Sequence, residues 1–189
     1  MSALSAPLLT PDRYLEIERA ADFKSEYVDG RMFAMSGGRL AHAIVCTALA
    51  SALLAALRGK SCYVTGSDLR VQVSPQGPFF YPDMSVCCGK PRLADDYKDT
   101  LLNPTIVFEV LSPSSEAYGR GKKFAADRRI DSLRECVLAS QTEPSVETYF
   151  RGPDDKWTLT EYTGLDGIWR FESIDCQIDL ADIYRNIPA

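Results

Sequence analysis

The chain carries a single histidine, His42, in 189 residues, and that scarcity removes several chemistries at once. A structural zinc centre wants cysteine pairs such as CxxC or additional histidines, and the six cysteines (46, 62, 87, 88, 136 and 176) supply neither. Their spacing is no disulfide framework either, and most lie in apolar runs. They read as buried free thiols in a reducing, cytoplasmic setting. No G-x-S-x-G nucleophile elbow occurs, and Gly119-Arg-Gly-Lys-Lys is not a phosphate-binding loop of the G-x-x-x-x-G-K-[ST] type. Before Arg13 there is no basic residue, and Pro7 and Pro11 break the start of the chain, unlike a secretory signal. Long apolar runs are missing too. The best, Leu40 to Leu57, is rich in alanine and interrupted by Thr47 and Ser51, so it reads as a core helix and not as a membrane span.

What is present is ordinary globular material: 46% hydrophobic and 25% charged residues, with a net charge of −5. The acidic balance argues against a constitutive polyanion binder. With no repeat or linker, residues 1–189 read as one domain. Thr10-Pro11-Asp12 starts a helix over 11–20, and Asp29-Gly30 turns a hairpin after Glu26-Tyr-Val. A long helix is expected over 40–58, with Gly59 ending it, then strands near 61–65, 68–73 and 83–88 around a turn at 74–78. Thr105 to Leu111 is a strand buried on both faces, closed by Ser112-Pro113-Ser114-Ser115, and a helix over 116–131 follows. Cys136-Val-Leu-Ala is another central strand, and 146–150 with 157–162 form a hairpin. Such an order fits a mixed sheet covered by helices.

Glu109 is the anomaly. A carboxylate inside Ile106-Val-Phe-Glu-Val-Leu must be paired, protonated or metal-bound, since an unpaired buried charge costs several kcal/mol. Asp83 opens another apolar strand after Tyr81-Pro82; if the two strands pair, two carboxylates converge on one hard cation. The bland reading of Glu109 is a structural ion pair with a nearby cation. Residues 116–134 add a local basic excess: Arg120, Lys122, Lys123, Arg128, Arg129 and Arg134 against Glu116, Asp127 and Asp131. That stretch either binds phosphates or is a solvated helix face with a Lys123–Asp127 pair.

Taken together, Tyr81-Pro82-Asp83, Ile106-Val-Phe-Glu-Val-Leu-Ser-Pro-Ser, Arg120-Gly-Lys-Lys and Leu133-Arg-Glu-Cys-Val-Leu resemble a known family. It is the "putative restriction endonuclease" family abundant in cyanobacteria, part of the PD-(D/E)XK nuclease superfamily. Glu26-Tyr-Val-Asp-Gly and Ser67-Asp-Leu-Arg-Val look like its upstream motifs, and the resemblance covers about residues 10–150. It implies an α/β, restriction endonuclease-like fold: a central mixed β-sheet flanked by helices, with a C-terminal β-hairpin extension.

The same resemblance implies a Mg²⁺-dependent endonuclease acting on the phosphodiester bonds of DNA, with Mn²⁺ as an alternative ion. Asp83 and Glu109 would hold the metal, with the carbonyl of Val110 as a further ligand. The motif's third position is Leu111 where the superfamily has lysine, and the lysine is expected from the next helix at Lys123. Gly119 stands where the family carries an aspartate. Glu26, His42, Asp68 and Lys122 are accessory candidates: Glu26 as an early acid, His42 as a histidine common in relatives, Asp68 as a site-lining or turn acid. A homodimer joined through Tyr149, Phe150, Trp157 and Tyr162 is expected, with no membrane partner. The rival reading is a catalytically inert DNA-binding or protein-interaction module, favoured by Leu111, by a Lys123–Asp127 pair and by the acidic net charge.

Overall fold

A computed structural model describes residues 7–112 and 116–187. Helix α1 (Pro11–Ala20) opens it, capped as expected by the Thr10 hydroxyl, which accepts from the Arg13 amide. Strands β1 (Ser25–Val28) and β2 (Arg31–Ala34) form the first hairpin; Asp29 and Gly30 both take positive φ, which a two-residue turn of this hand requires. The long helix α2 (Leu40–Ala56) buries Val45, Leu49 and Leu53. No helix among the described residues is long and apolar enough to cross a membrane.

Next come β3 (Cys62–Gly66), β4 (Arg70–Gln72), β5 (Phe79–Phe80), β6 (Met84–Cys88), β7 (Thr100–Leu101) and β8 (Ile106–Leu111). After β8, α3 (Glu116–Tyr118), a π-helical turn (Gly119–Lys123) and α4 (Phe124–Asp127) replace the single helix expected over 116–131. Strands β9 (Glu135–Ser140), β10 (Ser145–Arg151), β11 (Trp157–Thr163), β12 (Ile168–Phe171) and β13 (Cys176–Asp179) lead to α5 (Leu180–Tyr184). The expected break at Pro113–Ser115 falls outside the described residues.

A six-stranded mixed sheet runs β11-β10-β9-β8-β6-β3, and a five-stranded one runs β2-β1-β5-β4-β7. Only β8 and β9 pair in parallel in the larger sheet. Burial on both faces explains the near-continuous apolar run of β8. Ile106, Phe108 and Val110 face the core under α2, β12 and β13, which also holds Trp169 and Phe171. Val107 and Leu111 face a second core with Val71, Phe80, Leu101, Ile130 and Leu133. Glu109 has the parity of this second face, toward the smaller sheet.

The expected 146–163 hairpin is β10–β11, and it extends the central sheet as its outer strands. Beyond it lie the β12–β13 hairpin and α5. One expectation fails outright. Cys62 and Cys88 are bridged, so the six cysteines are not all free thiols, and the support they lent to a reducing compartment falls away. The cause is tertiary: β3 and β6 pair antiparallel with Cys62 opposite Cys88, a juxtaposition invisible in linear spacing.

Candidate active site

Four elements converge between the two sheets. The register that sets Met84 opposite Phe108 brings Asp83, one residue before β6, alongside Glu109 in the middle of β8. The amide of Val110 donates to Asp83 Oδ2 at 2.7 Å, tying the aspartate to that strand. From the smaller sheet, β1 contributes Glu26, whose Oε1 accepts from the Tyr81 amide at 3.3 Å. Lys123, last residue of the π turn, inserts its ammonium between the sheets, 2.9 Å from Glu26 Oε1 and 2.7 Å from Glu109 Oε1. The second contact is an ion pair off the line of a good hydrogen bond, which leaves Glu109 Oε1 with poor satisfaction of its lone pairs.

Two local features place the lysine. Leu111 occupies the motif's lysine position and is a core residue, 8% exposed. Gly119 lies against it so closely that a Cβ there would stand 2.8 Å from Leu111 Cδ2. A side chain at 119 and a leucine at 111 would therefore compete for one space. Below the π turn, Phe124 anchors α4 against Tyr149 and Trp157, with ring centroids at 4.3 and 5.5 Å. Both aromatics are half-buried there.

The electrostatics are lopsided. Asp127, one turn beyond Lys123, is buried with Oδ2 unpaired. It makes no ion pair with Lys123, whose ammonium is turned to Glu26 and Glu109, so the i,i+4 pair of the solvated-helix alternative is not formed. Glu26, Asp83, Glu109 and Asp127 face two cations, Lys123 and His42. Burial pushes the Glu109 carboxyl up to about 8, with Lys123 opposing and Asp83 adding to the rise. Burial likewise pushes Asp127 up to about 7. For Lys123 burial pulls downward, but Glu109, Glu26 and Asp127 together hold it above the usual lysine range. The ammonium stays charged, which rules it out as a general base near neutral pH.

His42 opens α2 and points its Nε2 at Asp83 Oδ1, 3.1 Å away. That hydrogen bond, followed by a contact with Cys46, pushes the imidazole up to about 10. Asp68 and Lys122 lie elsewhere. The Asp68 carboxylate is exposed at the surface and pairs with Lys24, and Lys122 is exposed on the π turn. Sequence reasoning missed Asp127 as a member of the acid cluster, having read it as a surface partner. It also missed the Glu18 support: that buried carboxylate accepts from the Ser25 amide at 2.9 and 3.0 Å and from the Tyr81 hydroxyl at 2.9 Å, bracing β1 against the strand-entry segment.

The donor set suits a hard divalent ion. The acids are carboxylates in excess of the local cations, two of them carry unsatisfied buried oxygens, and burial penalises their charged forms. A cation such as Mg²⁺ between Asp83 and Glu109 would offset the excess negative charge and satisfy the Glu109 oxygen, and oxygen-only ligation is what it prefers.

Against known proteins, the family model described as "Putative restriction endonuclease" (Uma2) matches residues 11–181. Two uncharacterized proteins of Synechocystis sp., slr1290 and sll1609, are similar throughout. The first is 34% identical over 183 residues, 96% of this chain and 94% of its own. The second is 30% identical over 164 residues, 87% and 93% respectively. A crystal structure from Anabaena variabilis, described as a putative nuclease belonging to DUF820, superposes with a TM-score of 0.76 at 16% identity, over 94% of this chain and 98% of that one. The architecture is thus shared with that protein.

Proposed function

Because the chain belongs to the Uma2 family, described as "Putative restriction endonuclease", we propose that it is a Mg²⁺-dependent endonuclease hydrolysing phosphodiester bonds in DNA, as a homodimer. The observation that carries this reading is Lys123, 5% exposed and held between Glu26 and Glu109. A lysine thus reaches Glu109 although the motif position itself holds Leu111. Asp83 and Glu109 would hold the ion, with the Val110 carbonyl as a further ligand; Mn²⁺ is an alternative occupant. Bound there, it would supply Lewis-acid polarisation of the phosphate and a water of lowered pKa.

The protein groups divide the remaining work. An ammonium has three donors; one on Lys123 goes to Glu26 Oε1, while Glu109 is met as an ion pair, so donor capacity remains for a water or a phosphate oxygen. Its fixed positive charge stabilises negative charge developing on the phosphate without giving up a proton. Glu26 holds Lys123 in place, and the Tyr81 amide holds Glu26. His42 orients Asp83 from the opposite side.

One observation favours the second reading, an inert binding module: His42 and the Val110 amide occupy both oxygens of Asp83. Thermal melts with and without Mg²⁺, combined with plasmid cleavage, separate the two. Native protein should be stabilised by about 2.7 kcal/mol at a hundredfold excess of Mg²⁺ over its Kd. Glu109→Gln should melt no lower without metal, lose the Mg²⁺ response and lose cleavage. Lys123→Gln should keep the response and lose cleavage. Cleavage by Glu109→Gln at the native rate overturns the site, and native protein with neither response nor cleavage supports the inert module.

A further inference from the structure

We propose that His42, Cys46 and Asp83 form a binding site for a borderline transition-metal ion of the Zn²⁺ or Co²⁺ class, distinct in chemistry from the all-oxygen magnesium site it adjoins. His42 and Cys46 stand one turn apart on α2, so both side chains leave the same helix face. Cys46 Sγ lies 3.9 Å from His42 Nε2, and that nitrogen lies 3.1 Å from Asp83 Oδ1. All three ligand atoms fall within 4.8 Å of one another. Around a tetrahedral ion with bonds of about 2.0–2.3 Å, ligand atoms sit about 3.3–3.6 Å apart, so small rotations of these side chains suffice.

The surroundings are built for that arrangement. Gly38, in the loop before α2, closes over the imidazole; a Cβ there would stand 2.6 Å from Nδ1. The absent side chain is what admits the ring. Asp83 is fixed through its other oxygen by the Val110 amide, so one carboxylate oxygen faces the histidine. Cys46 is half-buried and free, while Cys62 and Cys88 are consumed by their bridge. A thiolate, an imidazole and one carboxylate oxygen make a soft-to-borderline donor set, which Mg²⁺ disfavours and Zn²⁺ or Co²⁺ accepts. Three protein ligands leave a fourth position open to water. Binding takes the thiol as thiolate and the imidazole as neutral, so protons leave to the buffer.

The site shares Asp83 with the proposed magnesium centre but needs no cleavage to exist, so the two readings fail separately. Full-length protein titrated with Co²⁺ should develop a thiolate-to-cobalt charge-transfer band that saturates at one ion per chain. Cys46→Ser, checked for fold by circular dichroism, should lose the band and bind Zn²⁺ at least tenfold more weakly in equilibrium dialysis. Cys176→Ser should keep both. His42→Gln, which retains every cysteine, should also lose the band, and it decides the matter if Cys46→Ser does not fold. A band that survives in folded Cys46→Ser or in His42→Gln overturns the site. So does native protein that binds Zn²⁺ no more tightly than these variants.

Discussion

Glu109 and Asp127 are held in a state that folding makes uncomfortable, and pH exposes it. In the folded chain Glu109 is pushed from 4.5 to about 8 and Asp127 from 3.8 to about 7, chiefly by burial. Between the unfolded and folded values the native state keeps protons that the unfolded chain has released, so stability falls as pH rises through that window. His42 adds the same sign further on: pushed by Asp83 from 6.5 to about 10, its contribution is complete below 6.5 and is lost toward 10. Asp99, held low by Arg19, acts only at acid pH and leaves the range above pH 5 undisturbed. Melting temperature without divalent ions should therefore decline from pH 5 to 9, and Glu109→Gln should flatten the decline below pH 8. A flat native profile would contradict the buried-acid cluster. At this scale the sequence was partly legible. A carboxylate in an apolar strand announces itself, as Glu109 did. Asp127 did not, because i,i+4 spacing to a lysine is equally the pattern of a solvated pair.

Between β8 and α4, Leu111, Gly119 and the π turn fit one another. Leu111 fills the place of the motif lysine, Gly119 vacates the space that leucine needs, and the π turn carries Lys123 in from the following segment. π turns inside helices are frequent at functional sites, and no residue pattern in Gly119-Arg-Gly-Lys-Lys distinguishes one from a plain helix. Gly119→Ala should thus cost about 1–3 kcal/mol, the usual range for overpacking. Leu111→Val in the same chain should recover part of the loss, since it removes the opposing methyl; the two effects should couple in a urea-melt cycle. Simple additivity would mean that 111 and 119 do not share a space. Strong periodic segments such as α2 and β8 were readable within a residue or two. Strands β5 and β7, two residues each, were not, because their pairing comes from neighbours in space and not from local propensity. The Cys62–Cys88 bridge escaped for the same reason.

Assembly and nucleic-acid contact belong to the whole molecule. Tyr149 and Trp157, expected at a dimer interface, pack on Phe124 and are only half-buried, and β11 is an outer strand with Leu159 48% exposed. Unpaired outer strands invite pairing with a second chain. Sedimentation velocity should give a two-chain mass that Leu159→Lys reduces to one; a native monomer at every concentration refutes the dimer. The charge distribution sets the other expectation. Of the six basic residues in 116–134, Lys123 is buried and Arg120 pairs with Glu116 and Glu147. Lys122, Arg128, Arg129 and Arg134 are exposed and have no carboxylate partner among the described residues. In a chain of net charge −5, these four residues, close in sequence, are the phosphate contacts expected under the proposed DNA reading. If each of the four neutralises one phosphate, the slope of log K against log salt for duplex binding should be about −3.6. Arg128→Ala with Arg129→Ala should bring it to about −1.8, because two fewer counterions are released. Lys123→Gln should leave the slope unchanged, since its ammonium is already neutralised by carboxylates. A slope near zero in native protein, or one that the double substitution does not move, would place DNA on another face.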